Sequence, residues 1–305
     1  VGNVVIDHLV VLPGHPEADT KTAVVSDHMQ VGGPVPTALA LLSRFGHPCS
    51  FIGSWSSDAF GSFIEADFHR EEIDTQFCLR RNRGRTGFAH VWVDQQTAAR
   101  TIAHHRTSEF VEPDEITEEP FQTAKALHLD GWPGETAIKA AELAGQHGCQ
   151  VFLDTGSPKP GMEQLIRKVD VLNCPRRFLY QFLGTHDIRS GVQQLLNMGP
   201  TMVTVTSGNE GAVLATRDEW IERPAYKVEV CDTTGAGDVF CGGLIHAVLE
   251  KRPLEQTLAF AMAAAALKCK GIGNRAALPD QGNIDNLVRG QTPSILTSQR
   301  NCCGN

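Results

Sequence analysis

No run of 18 or more apolar residues occurs in this 305-residue sequence, which excludes a membrane-spanning helix. No secretory-signal pattern opens it either. Excess positive charge is missing: 27 Lys and Arg stand against 35 Asp and Glu, a formal net charge of −8. That balance argues against nucleic acid or an anionic membrane as a partner. There is no CxxC pair. The nine cysteines, at 49, 78, 149, 174, 231, 241, 269, 302 and 303, are odd in number and scattered through largely apolar contexts. Reduced, buried thiols in a cytoplasmic protein fit that pattern. Zinc fits poorly, because neither the cysteines nor His104–His105 have ligand spacing. A Walker loop of the form G-x-x-x-x-G-K-[ST] is absent, and so are internal repeats and low-complexity tracts.

What is there is organised around Val230-Cys231-Asp232-Thr233-Thr234-Gly235-Ala236-Gly237-Asp238-Val239-Phe240. This stretch is small and acidic, and an apolar helical run (Phe240, Leu244, Ile245, Val248, Leu249) follows at once. A glycine loop opening into a helix presents unpaired amides at the positive end of the helix dipole, which makes an anion site. A dinucleotide fingerprint is disfavoured, because Phe240 stands where the third glycine belongs. A plain tight turn would use the same glycines. Asp238 at the mouth of the loop is repelled by a bound phosphate, so its fitting task is to take a proton from an attacking hydroxyl.

The remainder reads as an α/β chain. Val4–Ile6 reads as the end of a buried strand followed by Asp7, and residues 8–31 as short strands around a Pro/Gly turn, with Thr22–Val25 as one of them. Gly32-Gly33-Pro34 opens an amphipathic helix that carries Thr37 and stops at Gly46. Residues 85–93 and 100–105 read as a hairpin ending in His104, His105 and Arg106, of which His104 or Arg106 is placed to touch the substrate or its phosphate. From about residue 124 strands and helices alternate: strand 126–129, helix 135–147, strand 151–154, helix 161–168, strand 171–173, helices 175–183 and 188–198, and strand 202–206. Asp130 and Asp154 end strands, where parallel sheets carry their ligand sites. A glycine turn, Thr206-Ser207-Gly208-Asn209-Glu210-Gly211, follows the last strand, and an Ala-rich helix spans 255–268.

The string Asp-Thr-Thr-Gly-Ala-Gly-Asp followed by Gly242-Gly243-Leu244-Ile245 resembles the second signature of the PfkB (ribokinase-like) carbohydrate kinases. The resemblance spans roughly residues 1–285. It implies a doubly wound, mostly parallel α/β domain over residues 1–290, with a small β-sheet lid from about 8–31 and 85–106, and a polar tail over 291–305. It makes Gly235, Ala236 and Gly237 the anion hole and Asp238 the base. Asp7, Gly32, Gly33 and Thr37 would bind sugar, with His104, Arg106 and Asp130 beside them. Thr37 departs from the family's usual Asn and loses its amide. Asn173-Cys174-Pro175-Arg176 lies where the family often has Asn-x-x-Glu, a motif tied to magnesium and phosphate; Arg176 replaces the Glu. Thr206, Gly208 and Gly211 resemble the nucleotide-side turn. Lys268-Cys269 through Gly271, Gly273, Asn274, Arg275 and Pro279 resembles a sulfofructose-kinase branch, in a loop that sits against adenine and helps hold a monovalent cation such as K+. Asp232 and Thr234 are the side chains assigned to that cation. ATP, Mg2+ and a small sugar are the implied ligands, and a homodimer through the lid the implied assembly. The Asp130-Gly131-Trp132 segment lacks the Arg of the sulfofructose-using relative, leaving a ketose, another furanose-like sugar or a nucleoside as acceptor. A catalytically weak sugar or nucleotide sensor and a nicotinamide-dependent dehydrogenase are the rival readings from other classes.

Overall fold

A computed structural model describes residues 1–290 except positions 98 and 108; the polar tail expected over 291–305 lies outside the described residues. Its main sheet has six strands in sequence order: Ala126–Leu129, Gln150–Asp154, Val171–Pro175, Met202–Thr206, Ala212–Ala215 and Trp220–Arg223. The first four are parallel and the last two antiparallel; the hairpin between the fourth and fifth strands has Gly208–Glu210 at its tip. The parallel strands are apolar on both faces, as the burial of such a sheet requires. Phe152 and Val171 point into one core, with the helices Pro34–Arg44, Ala236–Leu249 and Leu254–Lys268. Their neighbours Val151, Leu153, Leu172 and Cys174 point into a second, with the helices Gly134–Gln146, Arg176–Leu183 and Ile188–Met198.

Six strands in sequence order are wound one way only. The reversal lies at the N-terminal segment. The Val1 nitrogen donates to the His128 carbonyl (2.8 Å), and the Gly2 amide reaches the Ile52 carbonyl at 3.4 Å on the other side. Beyond it come the short parallel pairs Cys49–Ser50 with Ile73–Asp74 and Ser54–Ser56 with Leu79–Arg81. The chain therefore progresses outward in both directions from Val1–Val4, which sets a crevice at that switch point, where such folds bind ligands.

The small sheet is four-stranded, in the order Ser26–Gly32, Val5–Leu12, Phe88–Asp94, Arg100–His105. Two expectations need correction. Asp7 does not follow a strand end; it lies inside the Val5–Leu12 strand, opposite Gln30 and Ala89. Thr22–Val25 is not a strand; pairing begins at Ser26. The elements expected after residue 124 are otherwise in place, most with ends within two residues of expectation. Asp58 caps the helix Ala59–Arg70, its carboxylate accepting the Gly61 amide at 2.8 Å. No helix among the described residues is long and apolar enough to cross a membrane.

Candidate active site

Gly235 takes a left-handed conformation (φ +77°) and is the N-cap of the helix Ala236–Leu249. Only glycine adopts that conformation without strain. A Cβ at Gly235 would lie 3.1 Å from Asn274 Cβ, 3.6 Å from Thr37 Cγ2 and 3.7 Å from Asp238 Oδ2. One turn thus collects three separate segments of the chain. Beside Gly237 nothing lies within 4 Å of where a Cβ would stand, so the first helical turn faces open space. The Ala236 amide, one of the three expected donors, is turned back onto the Thr233 carbonyl at 3.2 Å.

Asp238 is partly accessible in the first helical turn. Desolvation, and then the negative charge of Asp130, push its carboxyl up to about 6. Asp7 is pushed up to about 6 by burial and by Asp238, and Asp154 to about 8 by burial and by Asp238. Asp130 is raised by burial, against the pull of the Asn3 amide and Lys159. Four carboxyls from four segments therefore share one electrostatic environment. Not all are equally free. Both oxygens of Asp130 accept amides, from Asn3 (2.8 Å) and Trp132 (2.9 Å), and Lys159 Nζ donates to its carbonyl at 2.6 Å. Asp130 clamps the N-terminal segment onto the sheet. Asp7 stands against Gly32, where any side chain would collide with its carboxylate. Gly33 (φ +109°) caps the next helix.

Asn274, which the resemblance assigns to the nucleotide, is hydrogen-bonded to the segment that carries Thr37. Its Nδ2 donates to the Val31 carbonyl (3.0 Å) and to Thr37 Oγ1 (3.2 Å), and its amide donates to Gln30 Oε1 at 2.7 Å. The amide missing at position 37 is thus supplied from the far end of the sequence. Behind it Arg275, 6% exposed, donates to Asp67 Oδ2 at 3.0 Å and approaches Thr37 Oγ1 at 3.5 Å. Asp67 also pairs with Arg70. Sequence reasoning singled out neither Asp67 nor Gln30; an acid in the apolar stripe of a helix was the available signal for Asp67.

Lys268 is fully buried, and its Nζ donates to the Asp232 carbonyl at 2.8 Å and lies 3.4 Å from Asp232 Oδ2. The same carboxylate accepts the Thr234 amide (2.9 Å) and the Gly273 amide (3.0 Å). Desolvation raises the Asp232 carboxyl, and Lys268 with these amides more than offsets it, so the net shift is downward. The expected monovalent-cation residues are therefore arranged around a resident ammonium. Gly271 lies beside them, its amide on the Lys268 carbonyl at 3.2 Å.

On the third main-sheet strand Asn173 is buried and committed: Nδ2 donates to Asp154 Oδ1 (2.8 Å) and Oδ1 accepts Thr204 Oγ1 (2.7 Å). Arg176 pairs with Glu210 at 2.9 Å on the 208–210 turn. Thr206 ends its strand opposite Ala212, and Gly211 (φ +115°) sits where a Cβ would collide with the Arg223 backbone. Across the crevice His104 pairs in register with Ala89, which neighbours Asp7, so His104 and Asp7 share a face of the small sheet. Arg106 lies over the Trp132 ring, 5.6 Å from its centroid.

Residues 1–281 match the family described as pfkB family carbohydrate kinase. The chain is 26% identical over 271 residues to the ATP-dependent ribose-1-phosphate kinase of Halopiger xanaduensis, covering 86% of this chain and 88% of that one. Among solved structures, Arabidopsis thaliana ribokinase complexed with ribose and ATP superposes with a TM-score of 0.81 at 24% identity, over 94% of this chain and 97% of that one. A putative ribokinase II from E. coli in complex with ATP and Mg2+ gives 0.83 at 18% identity, over 95% and 98%.

Proposed function

The chain belongs to the pfkB family of carbohydrate kinases and is a phosphotransferase with an alcohol group as acceptor; we propose that it moves the γ-phosphate of ATP to a primary hydroxyl of a small carbohydrate, with Asp238 as the base. The observation that carries this reading is the packing of Asp238 against the left-handed turn at Gly235, on the open side of the helix N-terminus. An elevated carboxyl there is a better proton acceptor than an ordinary one, and it is ionised at neutral pH. The loop from Gly235 to Gly237 receives the transferring phosphoryl group, and the Gly235 and Gly237 amides, which are not committed as the Ala236 amide is, oppose the charge that builds on it.

The sugar lies between Asp238 and the small sheet, which acts as a lid. Asp7, His104 and the Thr37–Asn274 pair bind it, and closing the sheet over it excludes water as a competing acceptor. Arg106 over Trp132, with Lys159 nearby, puts two cations at the same end, so sugar phosphates belong in any substrate panel. A ribose-1-phosphate kinase among the relatives supports that choice.

The nucleotide lies over the Thr206–Gly211 turn and the Gly271–Gly273 loop. The protein's own groups at the Asn-x-x-Glu position are a committed Asn173 and an Arg176–Glu210 pair. Mg2+ is thus carried mainly on the phosphates, which supply the oxygen ligands it prefers. Lys268 already places positive charge on Asp232, so a K+ ion in this loop shares that carboxylate rather than holding it alone. The lid also supplies the homodimer contact, on the face opposite Asp7 and His104, where Met29 and Trp92 stay exposed; light scattering tests it. The seven described free cysteines suit a cytoplasmic setting.

An ATP-consumption screen over free sugars, sugar phosphates and nucleosides tests the reading. Turnover that is lost in Asp238→Asn with ATP binding retained supports it. Tight sugar binding with no turnover in the wild type supports the sensor instead.

A further inference from the structure

Behind the carboxyl cluster, on the sheet side of the Ala236–Leu249 helix, three side chains converge that the phosphoryl-transfer reading does not use. They are His128 on the strand Ala126–Leu129, Asp154 at the end of the strand Gln150–Asp154, and Cys241 one turn into the helix. Each offers one ligand atom, and these atoms all lie within 4.8 Å of one another. His128 Nε2 and Cys241 Sγ are 3.5 Å apart. A tetrahedral Zn2+ with Zn–S of about 2.3 Å and Zn–N of about 2.0–2.1 Å sets those two donors about 3.6 Å apart. From within 4.8 Å, the carboxylate reaches the same geometry by moving roughly 1 Å.

The surroundings resemble those of a built ligand set. His128 is 5% and Cys241 1% exposed. The Asp154 carboxylate is oriented from behind by Asn173 Nδ2, and Asn173 in turn by Thr204 Oγ1. Such an outer hydrogen-bond chain is how metal-binding carboxylates are usually held.

We propose that His128, Asp154 and Cys241 form a binding site for a thiophilic divalent cation of the Zn2+ class, distinct from the Mg2+ that accompanies the nucleotide. One thiolate, one imidazole and one carboxylate select Zn2+ or Co2+; Mg2+ takes oxygen ligands only. Binding forms one metal–sulfur, one metal–nitrogen and one metal–oxygen bond, and it releases to solvent the Cys241 thiol proton together with the proton held on the Asp154 carboxyl. A fourth position is left for water. The ligands come from positions 128, 154 and 241, so no spacing motif announces them. Cys241 follows Asp238 by three residues on one helix face, and Asp154 shares the carboxyl cluster with it.

Co2+ titration of the full chain, followed by the thiolate-to-cobalt charge-transfer band, tests this without reference to kinase activity. The wild type is expected to bind one equivalent with that band and with tetrahedral d–d absorption, and Zn2+ to displace it. Cys241→Ser is expected to abolish the band, and His128→Gln to weaken binding by about 100-fold or more. Asn173→Ala, which touches no metal, is expected to weaken it about 10- to 100-fold. A band that persists in Cys241→Ser, or an affinity unchanged in folded His128→Gln, overturns the site. Should Cys241→Ser fail to fold, Asp154→Asn with unchanged affinity overturns it equally.

Discussion

The two walls of the crevice are built differently. The wall proposed to hold phosphate is one contiguous string, Asp232 to Asp238, stiffened from beneath by the Lys268 ammonium and the Gly273 amide on Asp232. The wall proposed to hold the acceptor is a mosaic in which Asp7 and Gln30 come from two strands of the small sheet, Thr37 from the first helix, and Asn274 and Arg275 from a loop more than 230 positions away. Phosphate chemistry is the same for every acceptor, and a short loop with a glycine at its cap suffices for it. Acceptor recognition needs side chains at several angles around a ring, which a contiguous segment cannot supply. Changes to the first wall should therefore abolish turnover, and changes to the second should alter stability and acceptor choice.

Gly235→Val tests the first wall most severely. A β-branched residue at φ +77°, with Asn274 and Thr37 against its Cβ, displaces the loop and its amides. Turnover is expected to fall roughly 10²- to 10³-fold, the typical value of one oxyanion donor, while the protein stays folded. Circular dichroism with steady-state kinetics checks this.

The mosaic wall should fail in stability first. Arg275→Met leaves Asp67 buried, with only the more exposed Arg70 as partner. Breaking such a pair costs about 3–5 kcal/mol. Chemical denaturation measures it, and a loss below about 1 kcal/mol would mean that the pair is ornamental.

A pH test separates the walls by charge. Asp154, pushed up to about 8, holds its proton more tightly in the fold than in the unfolded chain. Its stabilising contribution is complete below the ordinary carboxyl pKa and is lost as pH rises through about 8. Asp154→Asn removes that dependence. The variant should gain stability relative to wild type between about pH 5 and pH 8, as read by thermal unfolding; a pH-independent difference would show that the burial is less complete.

The smallest effect belongs to the Arg176–Glu210 pair, both of whose side chains are substantially exposed. Arg176→Ala should cost no more than about 1 kcal/mol. Thermal unfolding at low and high salt checks it.

Most of the fold was legible in the sequence because the helices and parallel strands after residue 124 carry strong local patterns. Gly235–Asp238 was legible for the same reason. The small sheet was harder: its strands are partly exposed on both faces, so Asp7 seemed to follow a strand that in fact continues to Leu12, and Thr22–Val25 imitated one. The partners of Asn274, Val31 and Thr37, could not be read from the sequence because they are remote in it. Lys268 read as an ordinary helix end, since its partner Asp232 lies 36 positions away. His128 was hidden inside an apolar strand, where a histidine reads as core. Local periodicity reports elements; it does not report which elements meet.

The most direct measurement is the pH dependence of kcat/KM for wild type and Asp238→Asn on the best acceptor found, with ATP binding measured alongside. The account predicts a wild-type rate that rises with pH through an acid limb near 6, where Asp238 ionises. It predicts a variant slower by roughly 10²- to 10⁴-fold, without that limb and still binding ATP. A variant that keeps its rate, or one that keeps the acid limb, would contradict it.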